Sequence, residues 1–378
     1  MKVIHLPTAV GGNPQGISKH LNQLGVNSQT WVFEQNYFKY HVDKIIKGKN
    51  NSIFVGEIKR ILSLNYIFNA DIVFYNYGSG LFKPFFVPNR NNSSFLKYKI
   101  LQFYRLYSGL MARLELYLIK IFHKPIFIQY QGDDARQGDF CINNFEITFA
   151  DRVGEDYYTK KSDNAKRESI QFYCKNAEKI YSLNPDLLHI LPDSAEFLPY
   201  SHISLSEWLP LFNQNENRPL RIGHAPSHRA VKGTELIIDA VEELKLAGYH
   251  FDFILIEGIS NSEAKEIYKN IDVLVDQLFA GWYGGLAVEA MALGKPVIAY
   301  IRQEDLHFIP AQMRMDLPIF QAEPRTIHEV LENILKMPRT DLVKMAKKSR
   351  AYVEKWHNPI TIANRIKIDM EFALGKKK

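Results

Sequence analysis

Short, nearly unbroken apolar runs recur along the chain, separated by amphipathic stretches. Runs of this kind read as parallel strands covered on both faces, and the stretches between them as crossover helices. In the first half the runs are 3–6, 30–33, 72–75, 125–130 and 179–183, with a helix predicted over 17–24. In the second half they are 220–223, 253–256, 273–275 and 297–300, with helices predicted over 234–246, 262–268 and 286–293. Ile237, Ile238, Val241 and Leu244 keep the spacing of one buried helical face. A last helix is predicted over 360–374, after a proline. The gaps are long enough for crossovers, so the pattern predicts an α/β protein of two doubly wound, Rossmann-like domains facing across a cleft.

The composition turns polar over 201–219, where EWLPLFNQNENRP brings in prolines and asparagines, and the interdomain linker is placed there. The expected domains are 1–205, 206–355 and a C-terminal segment, 356–378, returning to the first. At 378 residues the chain exceeds what one core usually serves, which agrees with two domains. Its net charge of +6 is spread along the sequence, which suits a polyanionic ligand or an anionic membrane surface but not nucleic acid. Cys141 and Cys174 are the only cysteines, which excludes a disulfide framework and a cysteine zinc site. The N-terminus reads as a strand rather than a signal segment, and no apolar run approaches the roughly 20 residues of a membrane span. A cytoplasmic protein is expected.

Two segments carry the chemistry. In DVLVDQLFAGWYGGLAVEAMALGKPVIAY (272–300), Gly284 and Gly285 open a helix at the carboxyl end of a strand. Such a helix presents unpaired N–H groups and a positive dipole to an anion. Glu289 lies in its first turns, placed to bond a sugar hydroxyl. In RIGHAPSHRAVKGTELIIDAVEEL (221–244), a strand feeds a loop with Ser227, His228, Arg229 and Lys232, and Thr234 begins a helix. A guanidinium, an ammonium and a helix N-terminus on one loop suit a diphosphate, although Lys232-Gly233-Thr234 is not a Walker sequence. A solvated basic loop capped by Thr234 is the plainer alternative.

On these residues the second half, over roughly 221–356, resembles the donor domain of a GT-B glycosyltransferase, similar to the large retaining family 4. The resemblance implies that Arg229, Lys232 and Gly233 bind the diphosphate of a nucleotide sugar and that Glu289 binds its ribose. It implies a first glutamate eight positions earlier, where this chain has Gly281. The backbone of Tyr283, Gly284 and Gly285, or Asp276, is the candidate substitute. In the first half the glycine loop VGGNPQG, with Gly12, occupies the place where the family's loop faces donor phosphate and acceptor. Glu34 ends the next strand as a dinucleotide-binding acid would, but Gly11, Gly12 and Gly16 do not form G-x-G-x-x-G and Pro14 interrupts the turn.

The loop IQYQGDDARQGD (128–139) offers Asp133 and Asp134 as catalytic candidates, able to orient or deprotonate an acceptor hydroxyl. A helix cap and a surface salt bridge are the structural alternative. No metal is expected, because the aspartate pair lacks a histidine cluster and Pro226 separates His224 from His228. No cofactor is expected beyond the nucleotide sugar as co-substrate. The aromatic and basic segment 95–124 reads either as an interfacial helix on the inner membrane face or as a packed helix whose lysines reach outward. The resulting expectation is a retaining, metal-independent glycosyltransferase acting on a glycan or lipid-linked saccharide in cell-surface polysaccharide synthesis. A GT-B nucleotide-sugar epimerase and a non-catalytic nucleotide-sugar-binding relative are the alternatives.

Overall fold

The computed structural model describes residues 1–35, 40–49, 52–88, 94–212 and 218–376. Residues 213–217 of the expected linker and the last two lysines of the C-terminal tail lie outside the described residues. The chain divides into two compact units.

The first unit comprises Met1–Asp139, Tyr158–His202 and the segment from Pro359 onward. Its sheet holds β1 (Lys2–Leu6), β2 (Asn27–Val32), β3 (Lys44–Ile45), β4 (Ile72–Asn76), β5 (Ile126–Tyr130), β6 (Lys179–Ser182) and β7 (Ala195–Phe197). The spatial order is β3-β2-β1-β4-β5-β6-β7, and all pairs are parallel. Every residue of β4 and β5 is buried, as strands covered by helices on both faces must be. Register pairs Leu6 with Tyr75, Asn76 with Gln129 and Tyr130 with Ser182. The loops that follow β1, β4, β5 and β6 therefore emerge at one edge, where open α/β sheets carry their ligands.

The helix predicted from residue 17 begins at Asn13. Pro14 sits in its first turn, where the missing N–H costs no hydrogen bond, so the proline begins the helix instead of breaking the loop. The last helix, Pro359–Gly375, lays Ile362, Ile366 and Met370 against Ile17 and Leu21 of that first helix. Burying each such side chain contributes about 1.5–3 kcal/mol, enough to hold the C-terminal segment in this unit.

Helix Phe95–Ile121 has two unlike apolar faces. Ala112, Leu116 and Ile119 enter the core beside a buried carboxylate, Glu115. Glu115 accepts hydrogen bonds from the Tyr66 and Tyr75 hydroxyls at 2.7 and 2.9 Å and from the Leu81 and Phe82 N–H groups at 2.9 and 3.3 Å. Burial raises its pKa, and these four donors oppose that rise. They also fix the loop after β4. The other stripe, Leu96, Ile100, Phe103, Leu106, Leu110, Leu114, Tyr117 and Ile121, is exposed.

The second unit comprises Phe140–Tyr157 and Ile203–Asn358. Nothing in the composition of 140–157 marks it for this unit. Its sheet holds β8 (Leu220–His224), β9 (Phe251–Leu255), β10 (Val273–Val275), β11 (Val297–Ala299) and β12 (Ile319–Gln321), in the order β12-β11-β10-β8-β9. All pairs are again parallel, with His224 beside Val275 and Val275 beside Ile298. The loops after β8 and β10 thus meet at one edge.

Candidate functional site

Beyond β8 the chain makes a one-turn helix, Arg229–Lys232, and a left-handed Gly233, then enters helix Thr234–Leu246. His224 closes the end of the strand. Its Nδ1 lies 2.8 Å from the Val275 carbonyl and its Nε2 lies 2.9 Å from the Thr234 hydroxyl. Burial pushes this imidazole down to about 4, so it is neutral at physiological pH and donates from Nδ1. Thr234 is thereby a strand-to-helix clamp.

Beyond β10, Asp276 is fully buried. Its Oδ1 accepts from the Lys232 ammonium at 2.7 Å, and its Oδ2 accepts from the Gly284 N–H at 2.7 Å. Lys232 also donates to the Gln277 side-chain oxygen at 2.9 Å, and Gln277 in turn donates to the Trp282 carbonyl. Gly284 is the N-cap of helix Gly285–Ala292. The Lys232 ammonium and the amino end of that helix therefore converge on one buried carboxylate, Asp276.

The remaining expected donor residues divide. Glu289, buried in the second turn of the same helix, accepts from the Asn261 side chain at 3.2 Å. Asn261 opens helix Asn261–Asn270 and was not singled out in the sequence. Arg229 is exposed and bonds Glu235 at 2.9 Å and Glu257 at 3.0 Å, so it stands outside the Lys232 cluster. Ser227 is exposed in the loop before it. The Tyr283 side chain is buried, with its hydroxyl 2.9 Å from that of Tyr352 and 2.8 Å from His357 Nε2. Its ring is core, and only its backbone borders the site.

Gly281, where the resemblance places a glutamate, has a left-handed φ of 74°. A Cβ there would fall 2.6 Å from the Arg302 guanidinium. Arg302 is held by Asp305 at 2.9 Å, by the Ile147 carbonyl at 2.9 Å and over the Phe145 ring at 3.6 Å. The place of the first glutamate is filled by an arginine, and the 140–157 segment fixes that arginine.

In the first unit, Gly12 is left-handed, and a Cβ there would strike the Tyr40 ring. The two aspartates after β5 differ. Asp133 accepts from Arg136 at 3.2 Å and from the Tyr158 hydroxyl at 2.6 Å. Asp134 accepts from the Gly132 N–H at 2.7 Å and the Gln131 N–H at 3.0 Å, and it lines a cavity of about 320 Å³. Burial pushes its carboxyl up to about 6, against the pull of those N–H groups. Ser79, Lys83 and Lys166 line the same cavity, and the sequence reading missed all three. The run YGSG directly after β4 was the available signal. Among the described residues, no group of three or more His, Cys, Asp and Glu side chains is placed to hold a metal ion.

No protein-family model matches the sequence, and no curated protein is significantly similar to it. Solved structures do match along the whole chain. Anabaena HepE in complex with UDP-glucose superposes with a TM-score of 0.58 at 11% identity, covering 98% of this chain and 99% of that one. Sucrose-phosphate synthase from Thermosynechococcus elongatus gives 0.59 at 14% identity, covering 97% and 98%. A glycosyltransferase from Rickettsia africae gives 0.59 at 14% identity, covering 100% and 99%. WaaG, described as a glycosyltransferase involved in lipopolysaccharide biosynthesis, gives 0.51 at 15% identity, covering 97% and 99%. The fold of the chain is the GT-B fold.

Proposed function

We propose that the chain is a glycosyltransferase that takes a nucleotide-sugar donor on its second unit and passes the sugar to a glycan or lipid-linked saccharide in cell-surface polysaccharide synthesis. The observation that carries this reading is the meeting of Lys232 and the amino end of helix Gly285–Ala292 at Asp276, with Glu289 in the same helix. Departure of a nucleoside diphosphate builds negative charge, which an ammonium beside a helix N-terminus is suited to stabilise. Glu289 and Asn261 would hold the ribose hydroxyls. Retention and independence of metal follow from the family resemblance and belong to this proposal. The binding of UDP-glucose by the structural neighbour HepE supports a nucleotide-sugar donor.

Non-catalytic binding is the second reading. It is favoured by Gly281 under Arg302 and by the engagement of Arg229 with two carboxylates. A thermal-shift screen of nucleotide sugars, followed by detection of released nucleoside diphosphate, separates the two. The expected result is that one nucleotide sugar raises the melting temperature by several degrees, since about 2.7 kcal/mol of stabilisation accompanies a hundredfold excess over Kd. Diphosphate release that depends on added acceptor selects the transferase, and a shift without release selects the binder. A screen in which nothing shifts the melt defeats both.

The exposed stripe of helix Phe95–Ile121 supports peripheral contact with the cytoplasmic face of a membrane. Neighbouring helix Ile53–Leu62 adds exposed Ile53, Phe54 and Leu62. Lys97, Lys99, Arg105, Arg113 and Lys120 accompany the stripe, and the single acid of that helix, Glu115, is buried. No helix among the described residues is long and apolar enough to cross a membrane. An apolar face edged with cations is suited to lie on anionic lipid. Flotation with phosphatidylglycerol vesicles should carry the protein upward, and Phe103→Glu with Leu110→Glu should leave it in the bottom fraction. Equal behaviour of the two proteins would remove this contact from the account.

A further inference from the structure

The cavity beside Asp134 brings together two ammonium groups, one carboxylate and a buried serine hydroxyl. Its walls come from the loop after β4, the loop after β5 and one face of helix Lys160–Cys174. Lys83 and Lys166 contribute two ammonium groups against the single carboxylate of Asp134. Three acids near Lys166, Asp133, Asp134 and Asp163, act on its charge and also hold partners of their own. Asp134 accepts from its own loop's N–H groups, Asp133 is bound to Arg136 and Tyr158, and Asp163 accepts from the Asp139 N–H at 3.0 Å. Lys166 donates to a neutral group, the Arg136 carbonyl, at 2.6 Å and stands 4.4 Å over the Tyr158 ring.

Burial lowers the pKa of both ammonium groups, with Arg60 adding to the effect at Lys83, while Asp134 opposes it at Lys83 and Asp133, Asp163 and Asp134 oppose it at Lys166. Lys166 is half-buried and Lys83 reaches solvent, so an anion entering the cavity meets both ammonium groups. Ser79 is 7% exposed, lines the cavity, and its hydroxyl has no hydrogen-bond partner. Phe85 and Phe86 supply an apolar wall of the kind on which a sugar ring stacks. A volume of about 320 Å³ stands at the small end of ligand pockets, which run from ~300 to 1,000 Å³, and suits one residue rather than a long chain.

We infer that this cavity binds the acidic residue of an anionic saccharide, its carboxylate or phosphate held by Lys83 and Lys166, its ring against Phe85 and Phe86, and its hydroxyls on Ser79 and Asp134. The inference rests on the transferase reading for its biological sense, because it makes the acceptor an acidic glycan. Binding itself does not require a donor.

Ligand-observed NMR on the full chain, without nucleotide, tests it with methyl glucuronide, glucose 6-phosphate, methyl glucoside and inorganic phosphate. The expected result is binding of one or both acidic sugars at least about tenfold tighter than methyl glucoside, weakening as salt rises. The glucuronide and the sugar phosphate distinguish the two sources of charge. Lys83→Ala and Lys166→Met should each lower that affinity about tenfold, whereas Lys166→Arg should restore most of it. Lys83 is open to solvent, so its replacement keeps the fold, and a melting curve checks this. Equal binding of acidic and neutral sugars overturns the inference, as does phosphate binding as tightly as glucose 6-phosphate or indifference to both lysine variants. The nucleotide-sugar thermal shift is read separately at the second unit. If that shift fails while acidic sugars bind, the transferase reading falls and the cavity stands. If it succeeds while the cavity does not discriminate, only the cavity assignment falls.

Discussion

Lys232→Ala is expected to destroy nucleotide-sugar turnover and to destabilise the second unit at the same time. The Lys232 side chain is 10% exposed and that of Asp276 is 0% exposed, so the alanine leaves a buried carboxylate with only the Gly284 N–H. Breaking a buried ion pair from one side costs about 3–5 kcal/mol. Loss of one preorganised group facing a developing anion costs on the order of 10²–10³ in turnover. The two effects separate in Lys232→Met combined with Asp276→Asn. The amide still accepts from Gly284 while no charge remains buried, so urea unfolding should return most of the lost stability. Turnover should stay absent, because neither change restores an ammonium. If the single variant unfolds like the parent and still releases diphosphate, Lys232 is neither a structural nor a phosphate-binding group. If the double variant recovers turnover along with stability, the ammonium acts only by holding the loop.

Much of this site could be read in the sequence because its parts are local. The runs 72–75, 125–130 and 273–275 are apolar throughout, as strands buried on both faces require, and they appear at those places as β4, β5 and β10. The helix over 234–246 has the predicted bounds, since one face repeats through Ile237, Val241 and Leu244. What could not be read depends on partners distant in the chain. Arg229 and Lys232 look equivalent on one loop, but Glu257 draws the first outward and Asp276 buries the second. Tyr283 borders a glycine pair and reads as a ligand contact, yet its hydroxyl is taken by Tyr352 and His357 from the far end of the unit. Gly281 reads as a missing glutamate until Arg302 is seen over it. The edge strands β3, β7 and β12 are two or three residues long, too short for a periodic signal. The cavity beside Asp134 joins Lys83 to Lys166 only because β4 and β5 are neighbours in the sheet, an adjacency set by topology.

That cavity also yields the second large effect, an acid limb set by Asp134. A general base acts ionised, and burial holds this carboxyl at about 6 instead of its ordinary 3.8. Transfer should therefore fall about tenfold per unit as pH drops below about 6. Asp134→Asn should lower the rate by about 10²–10⁴ and flatten that limb, with nucleotide-sugar binding on the second unit unchanged. The stability consequence has the opposite sign. A carboxyl whose folded pKa is raised contributes stability that is fully present below about 3.8 and is lost as pH rises through about 6. At pH 8 the ionised form opposes folding, so Asp134→Asn should melt higher than the parent there, with the difference closing toward pH 4. Asp133→Asn weakens the bond to Arg136 and should melt lower instead. A group retained only to cap its own loop would give the reverse pattern, with stability falling in the asparagine variant and the acid limb unmoved. Observing that pattern would return Asp134 to a purely structural role and leave the acceptor hydroxyl without a base in this unit.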